Sequence, residues 1–229
     1  MKLNDITVLS VTFNNNLLTG LMLKSLAKQL GKLPECIIID NGTTLPADER
    51  LKDLVTLFDN KNQHVTGNYK QCSKNHCSTI DYALKNLVKT KWCLLVDNDV
   101  LFKPTVKKFL ENLNENEFDC CGEIGWDDAP PERLFPYFCL INVEKFRNEK
   151  LNYFDNVRCI GPGSKEIGAC GPNTKRWYKD TGCSFLEDIK NRWRIKLIKM
   201  SDVIIHKKSN GYGFTDEKTF LTVNKELYS

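Results

Sequence analysis

Apolar positions along the first hundred residues fall into two alternating rhythms. ITVLSVTF (6–13) has strand composition and is broken by a run of asparagines. LLTGLMLKSLAKQL (17–30) repeats apolar residues at helical spacing, and Gly31 follows it as a C-cap. CIIID (36–40) is a short uninterrupted apolar run, the pattern of a strand buried on both faces, and it ends on the turn signal Asp40-Asn41-Gly42. ADERLKDLVTLF (47–58) predicts a helix with Leu51, Leu54, Val55 and Phe58 on one face. STIDYALKNLV (78–88) aligns Ile80, Ala83, Leu84, Leu87 and Val88 in the same way. WCLLV (92–96) predicts another buried strand, and Pro104 opens a further helix with Val106, Phe109, Leu110 and Leu113 inward.

The order β-α-β-α-(β)-α-β predicts an α/β fold, a largely parallel sheet with helices on both faces. The second half is less regular. YFCLINV (137–143) predicts a strand, 150–178 a long loop rich in Gly, Asn and Lys, and GCSFLEDIKNRW (182–193) a helix. IKLIK and VIIH predict two short strands after it. No repeat, low-complexity segment or linker interrupts the chain, so residues 1–229 are expected to form a single domain.

Composition narrows the classes of function. A net charge of +4, with no basic stripe or aromatic-basic interleaving, argues against nucleic acid and is compatible with an anionic ligand. No apolar stretch approaches the roughly 18 residues of a transmembrane segment, and the N-terminus lacks the pattern of a signal peptide. Ten cysteines are scattered without a CxxC pair, and Cys36, Cys93 and Cys139 sit in or beside apolar runs. They are expected to be reduced thiols of a soluble, cytoplasmic protein. Cys72, His76 and Cys77 form the nearest approach to a metal cluster, but without the paired spacing that zinc favours.

In open α/β sheets, ligands bind beyond the carboxyl ends of the strands. Three such ends carry polar groups here: Thr12-Phe13-Asn14, Asp40-Asn41-Gly42 and Asp97-Asn98-Asp99. Two carboxylates flanking a bend either turn toward one hard cation, such as Mg²⁺ or Mn²⁺, or divide into a turn cap and a solvated charge. Neither GxGxxG nor GxxxxGK[ST] is present. That leaves a nucleotide site without a glycine loop, in which a metal would hold the diphosphate.

The series ITVLSVTFNN, CIIIDNGT, NYKQCSKNHCSTIDYAL and WCLLVDNDVLF resembles the GT-A glycosyltransferases, closest to the family 2 type. The resemblance covers 5–110 closely and 135–206 more loosely. It implies the GT-A (Rossmann-like) fold, a mixed and mostly parallel sheet flanked by helices, with 1–104 as the nucleotide-sugar donor half and 105–229 as the acceptor half. It further implies a nucleotide-sugar donor (UDP-, GDP- or dTDP-linked), a glycan or glycoconjugate acceptor, and Mn²⁺ or Mg²⁺. Thr12, Phe13 and Asn14 would line the base pocket, and Asp40 would meet base or ribose. SKNHC (73–77) aligns with the family's Ala-Arg-Asn-x-Gly, with lysine for arginine and cysteine for glycine, so Lys74 and Asn75 fall at donor-contacting positions. Asp97, beside Asn98, would approach ribose or sugar, and Asp99 the metal, with Asp97 near it.

An inverting transfer needs a carboxylate to take the acceptor's proton. The family supplies it near a helix start, in a Glu-Asp or Asp-x-Gly context. Two sites qualify: Asp180, just before the helix, and Glu187-Asp188 within it. Asp180 is favoured, because the pair falls on the helix flanks and Asp180 can point into a cleft. Its other role would be that of an N-cap. His206 matches a histidine that completes the metal site in the resembled family. Lys207 and Lys208 could meet diphosphate, SNGYGF (209–214) could form a lid, and Trp126, Asp127 and Asp128 could grip a sugar. A retaining glycosyltransferase, a sugar-nucleotidyltransferase and a non-catalytic nucleotide-sugar-binding domain are the alternatives to an inverting glycosyltransferase.

Overall fold

A strand made of an unbroken apolar run loses free energy on any face left in water, roughly 1.5–3 kcal/mol for each large side chain. Such strands must therefore lie at the centre of a covered sheet. The structure, a computed structural model of the chain, describes residues 1–12, 16–41, 56–59, 69–125, 132–153, 159–160, 177–178 and 181–206. Its strands are β1 (Ile6–Thr12), β2 (Glu35–Asp40), β3 (Thr56–Asp59), β4 (Trp92–Leu95), β5 (Val100–Phe102), β6 (Cys120–Gly125), β7 (Arg133–Asn142), β8 (Cys159–Ile160), β9 (Trp177–Tyr178), β10 (Ile195–Leu197) and β11 (Ile204–His206). Its α-helices are α1 (Asn16–Leu30), α2 (Tyr69–Tyr82), α3 (Thr105–Asn112), α4 (Val143–Asn148) and α5 (Cys183–Ile189).

Seven strands form one sheet in the order β10-β6-β7-β4-β1-β2-β3. The run β3-β2-β1-β4 is parallel, β7 is antiparallel to both β4 and β6, and β10 is parallel to β6. The result is a mixed, mostly parallel sheet flanked by helices: the pattern predicted the largely parallel sheet, and the resemblance implied its mixed character. Alternation along β1 sends Ile6 and Val8 into one core and Leu9 and Val11 into the other. The first core is closed by Met22, Leu23 and Leu26 of α1 and by Val106 and Leu110 of α3. The second is closed by Ile80 of α2, Phe146 of α4, and Phe185 and Ile189 of α5. Two smaller pairings lie apart from the main sheet, β5 with β11 and β8 with β9, both antiparallel.

Several expectations need correction. The end of the segment assigned to helix at 47–58 is strand β3, which takes the place of the bracketed strand in the predicted order. A four-residue Thr-Leu-Phe-Asp run pairs with Ile37 to Asp40, and no periodicity argument separates so short a run from helix. Helix α2 begins at Tyr69 rather than 78, and its continuation is a π-helical turn, Ala83–Leu87. Strand β7 starts at Arg133, ahead of the predicted 137, and yields to helix at Val143. β6 and β5 were not anticipated, and α5 stops at Ile189, short of 193. The loop assigned to 150–178 contains β8 and β9.

The cysteines whose side chains are described are buried free thiols. Burial pushes the thiols of Cys36 and Cys121 up to about 12, and it raises those of Cys93 and Cys139 as well. No described helix is long and apolar enough to cross a membrane.

One buried carboxylate ties the far end of the sheet together. Asp119, 5% exposed, accepts from the backbone N–H, Nε and Nη2 of Arg194 at 3.0, 3.2 and 2.9 Å, and from Lys145 Nζ at 3.1 Å. The Arg194 hydrogen bonds hold its carboxyl well below the usual carboxylate range, against the opposing effect of burial. A lowered folded-state pKa stabilises the fold above the unfolded value of about 3.9, and that contribution is lost as pH falls. Asp119→Asn should therefore cost about 1–2 kcal/mol at neutral pH, allowing for its solvent-screened partners. In urea unfolding at pH 7 and pH 3, the gap between variant and wild type should shrink at the lower pH.

Candidate active site

The three central parallel strands end at one edge of the sheet, and each end is held to its neighbour. Thr12 and Asp40 are register partners, and the Asn41 N–H donates to the Thr12 carbonyl at 2.9 Å. The Val96 N–H donates to Leu9 O at 3.0 Å, which extends the β1–β4 pairing just to the Asp97-Asn98-Asp99 bend. There Asn98 Nδ2 donates to Thr12 Oγ1 at 2.8 Å. Asn98 thus anchors the bend to β1, and the two aspartates flank it. Thr12, Asp40 and Asn41 are all buried, at 2%, 4% and 5% exposure.

Helix α2 hangs over this edge. Thr79 Oγ1 lies 3.0 Å from Asn41 Oδ1 and 2.8 Å from the Asn75 carbonyl, and Asn75 is itself buried. One turn away, His76 Nε2 stands 3.8 Å from Asp97 Oδ1, and its Nδ1 stands 3.4 Å from Thr181 Oγ1. Cys77 Sγ donates to the same hydroxyl at 3.4 Å. Thr181 leads into α5, so Asp97 and the chain entering α5 are neighbours through one imidazole.

The other aspartate finds its partner through the small sheet. β5 follows the bend directly and pairs with β11 so that Val100 faces His206. This pairing brings His206 Nε2 within 3.5 Å of Asp99 Oδ1, both side chains about one-seventh exposed. At a partly open edge the carboxylate oxygen suits Mn²⁺ or Mg²⁺, and the imidazole nitrogen favours Mn²⁺ of the two. Among the described residues no group of three His, Cys, Asp or Glu side chains is gathered closely enough to hold an ion unaided. Such a pair fits a metal that takes its remaining ligands from phosphate oxygens and water.

Gly182 marks the opposite wall. Its φ of +91° lies in the left-handed region, and a Cβ there would come within 2.1 Å of the Leu134 carbonyl oxygen. Only glycine lets the backbone lie this close to β7. Arg133, at the start of β7, donates from Nη1 to the Thr181 carbonyl at 3.4 Å and from Nη2 to the Tyr137 hydroxyl at 2.9 Å. The Tyr137 ring stacks on His206, with centroids 3.9 Å apart and planes 20° apart.

Of the positions expected from sequence, Thr12, Asp40, Asn75, Asp97, Asn98, Asp99 and His206 converge on this edge. Lys74 lies in α2, with its side chain outside the described residues. Phe13, Asn14, Asp180, Trp126, Asp127, Asp128, Lys207, Lys208 and 209–214 also lie outside them. Glu187 and Asp188 sit on the exposed face of α5. Thr79, Arg133, Tyr137 and Thr181 were not among the expected positions, and His76 was singled out only with Cys72 and Cys77, as a weak approach to a metal cluster. Of the unexpected positions, only Thr181 had a visible signal, as the middle of an Asp-x-Gly triplet; the others reach the edge through tertiary packing.

A search of curated protein sequences returns no match. Among solved structures, the chain is similar to residues 1–349 of Staphylococcus aureus TarS in complex with UDP-GlcNAc, at 14% identity and a TM-score of 0.56. That likeness covers 97% of this chain and 65% of TarS 1–349. It is similar also to the glycosyltransferase GlyE of Streptococcus pneumoniae, at 11% identity and a TM-score of 0.55, over 96% of this chain and 64% of GlyE. The chain therefore spans less than two thirds of the length of either. At these identities the likeness establishes the fold, that of GT-A glycosyltransferases. The sequence model of glycosyl transferase family 2 matches residues 7–166, well over half of the chain. With that match and the fold in agreement, the chain belongs to glycosyl transferase family 2.

Proposed function

We propose that this protein is a glycosyltransferase that moves a sugar from a nucleoside-diphosphate sugar to a hydroxyl of a glycan or glycoconjugate, with inversion at the anomeric carbon and with Mn²⁺ or Mg²⁺ as cofactor. The observation that carries the reading is the Asp97-Asn98-Asp99 bend at the carboxyl end of β4, with Asp99 paired to His206 at 3.5 Å. TarS, similar in fold, is known in complex with UDP-GlcNAc, which makes UDP-linked sugars the first donors to try.

In this reading the base and ribose lie against Thr12, Phe13, Asn14 and the buried Asp40. Lys74 and Asn75 of α2 contact the donor from above, and Asp97 with Asn98 receives ribose or sugar. Asp99 and His206, with Asp97 nearby, are the residues that would hold the metal. The bound ion would supply positive charge to the departing diphosphate. Asp180 takes the proton of the acceptor hydroxyl as its oxygen bonds to the anomeric carbon. The bond from that carbon to the diphosphate oxygen breaks, and the electron pair leaves with the nucleoside diphosphate. Support for Asp180 over Glu187 and Asp188 comes from its neighbour Thr181, which is buried and within 3.4 Å of His76, itself beside Asp97.

The test is a panel of nucleotide-sugars assayed for release of nucleoside diphosphate, with Mn²⁺, with Mg²⁺ and with chelator. Release from one donor, lost on chelation, is the expected outcome, and NMR of the transferred sugar should show the inverted anomer. Silence from every donor, together with no nucleotide binding, would overturn the reading.

A further inference from the structure

Strand β7 does not run straight. Pro136 has no amide hydrogen to give to a ladder, and the β6–β7 register shifts between Gly122 and Ile124. Irregularities of this kind re-aim side chains. On the C-terminal side of the break, Cys139 and Ile141 face one core while Phe138 and Leu140 face the other. On the N-terminal side, Leu134 lies in the first of these cores, and Phe135 and Tyr137 pack on the second. Tyr137 and Phe138 are sequence neighbours, yet they serve the same side of the sheet.

Tyr137 uses that placement to meet His206. The two rings lie 3.9 Å apart and 20° from parallel, and Phe135 stacks on Tyr137 at 5.4 Å and 11°. Arg133 is 6% exposed; its guanidinium lies 5.1 Å from the Phe135 ring and 5.7 Å from the Tyr137 ring, while Nη2 holds the Tyr137 hydroxyl. His206, by contrast, ends a three-residue strand paired to an equally short one. Such a strand leaves the imidazole's own torsions weakly held. An imidazole binds a metal through a lone pair in the plane of its ring. A flat neighbour therefore fixes the plane that matters and leaves the ring edge free.

We propose that Tyr137 is a positioning residue for the metal side of the site. Its ring holds the His206 imidazole in the plane that directs Nε2 toward Asp99, and Arg133 holds the ring. The proposal rests on Asp99 and His206 being metal ligands. Partners that orient a ligand from behind typically change metal affinity 10–100-fold.

The experiment titrates the full-length chain with Mn²⁺ alone, following bound ion by electron paramagnetic resonance and imidazole nitrogen by spin-echo modulation. Tyr137→Phe keeps the flat ring and should bind within about threefold of wild type, with the nitrogen modulation retained. Tyr137→Met keeps bulk without a flat face; it should bind about tenfold more weakly, with the modulation reduced. Arg133→Lys leaves the ring in place but cannot fork between the Tyr137 hydroxyl and the Thr181 carbonyl. It should fall between the other two, and it stands in for Tyr137→Met if that variant fails to fold. Wild-type affinity and modulation in both Tyr137→Met and Arg133→Lys would sink the proposal and leave the metal site standing. If wild type gives no nitrogen modulation, or Asp99→Asn binds Mn²⁺ as wild type does, the ligand assignment beneath it is wrong.

Discussion

Asp99→Asn should slow sugar transfer about 10²–10³-fold while leaving the folding midpoint nearly unchanged. The substitution keeps the shape of the side chain and removes its charge. Asp99 sits on a turn with its side chain 15% exposed, and the β5–β11 pairing that follows it is made by backbone groups of other residues. Little of the fold therefore depends on the carboxylate, whereas the proposed mechanism gives it a hold on the metal. Raising Mn²⁺ concentration should recover part of the lost rate, since a weakened site can be refilled by mass action. Asp97→Asn should be comparably slow but recover less on added Mn²⁺, as expected of a group that meets the sugar or ribose as well as lying near the metal. Steady-state rates at several Mn²⁺ concentrations, alongside thermal melts, decide the matter. Turnover near wild type in both variants would remove the carboxylates from the mechanism.

The second large effect is on stability. Gly182→Ala places a Cβ 2.1 Å from the Leu134 carbonyl oxygen in a residue with φ of +91°. The left-handed backbone alone costs roughly 1–2 kcal/mol, and the overlap with a strand backbone adds about 1–3 more. For a chain of this size a loss of about 2–5 kcal/mol is a fall of about 4–20 °C in Tm. Gly31 supplies the control. It has φ of +81° and nothing within 4 Å of its would-be Cβ, so Gly31→Ala isolates the backbone contribution. The difference between the two variants measures how tightly the chain entering α5 is pressed on β7. If Gly182→Ala melts like Gly31→Ala, that contact is looser than the geometry implies.

The legible parts of this sequence were those whose physics is local. β1, β2 and β4 announce themselves because uninterrupted apolar runs can only be central strands, and the carboxylates at their ends had to lie at the ligand edge. Asp40, Asp97 and Asp99 were placed at the ends of those strands on that ground alone. Strand β3 was misassigned because Leu54, Val55 and Phe58 satisfy helical spacing as well as any short apolar run does. β6, read as CCGEIG, has one β-branched residue, Ile124, against two glycines, too weak a pattern to mark a strand. The true start of β7 was hidden by Pro136, which ordinarily argues against a strand interior. Side chains such as Arg133 and Tyr137 escaped notice for a different reason. Each lies at the site by virtue of an element folded elsewhere, and neither is a signal in its own neighbourhood.

Strand β7 also bears on how the molecule can be assembled. The parallel run β3-β2-β1-β4 is finished once the chain has reached Leu95, but the outer edge of β4 stays bare until Cys139 to Asn142 of β7 arrive to cover it. Both cores likewise mix residues from either side of position 104, Ile6 with Phe138 in one and Leu9 with Phe185 in the other. A nascent chain halted before β7 would present an open strand edge and two half-built apolar faces, the features that invite aggregation. The two sides of position 104 therefore share both apolar cores. They are poor candidates for separate expression, shuffling or independent evolution as modules.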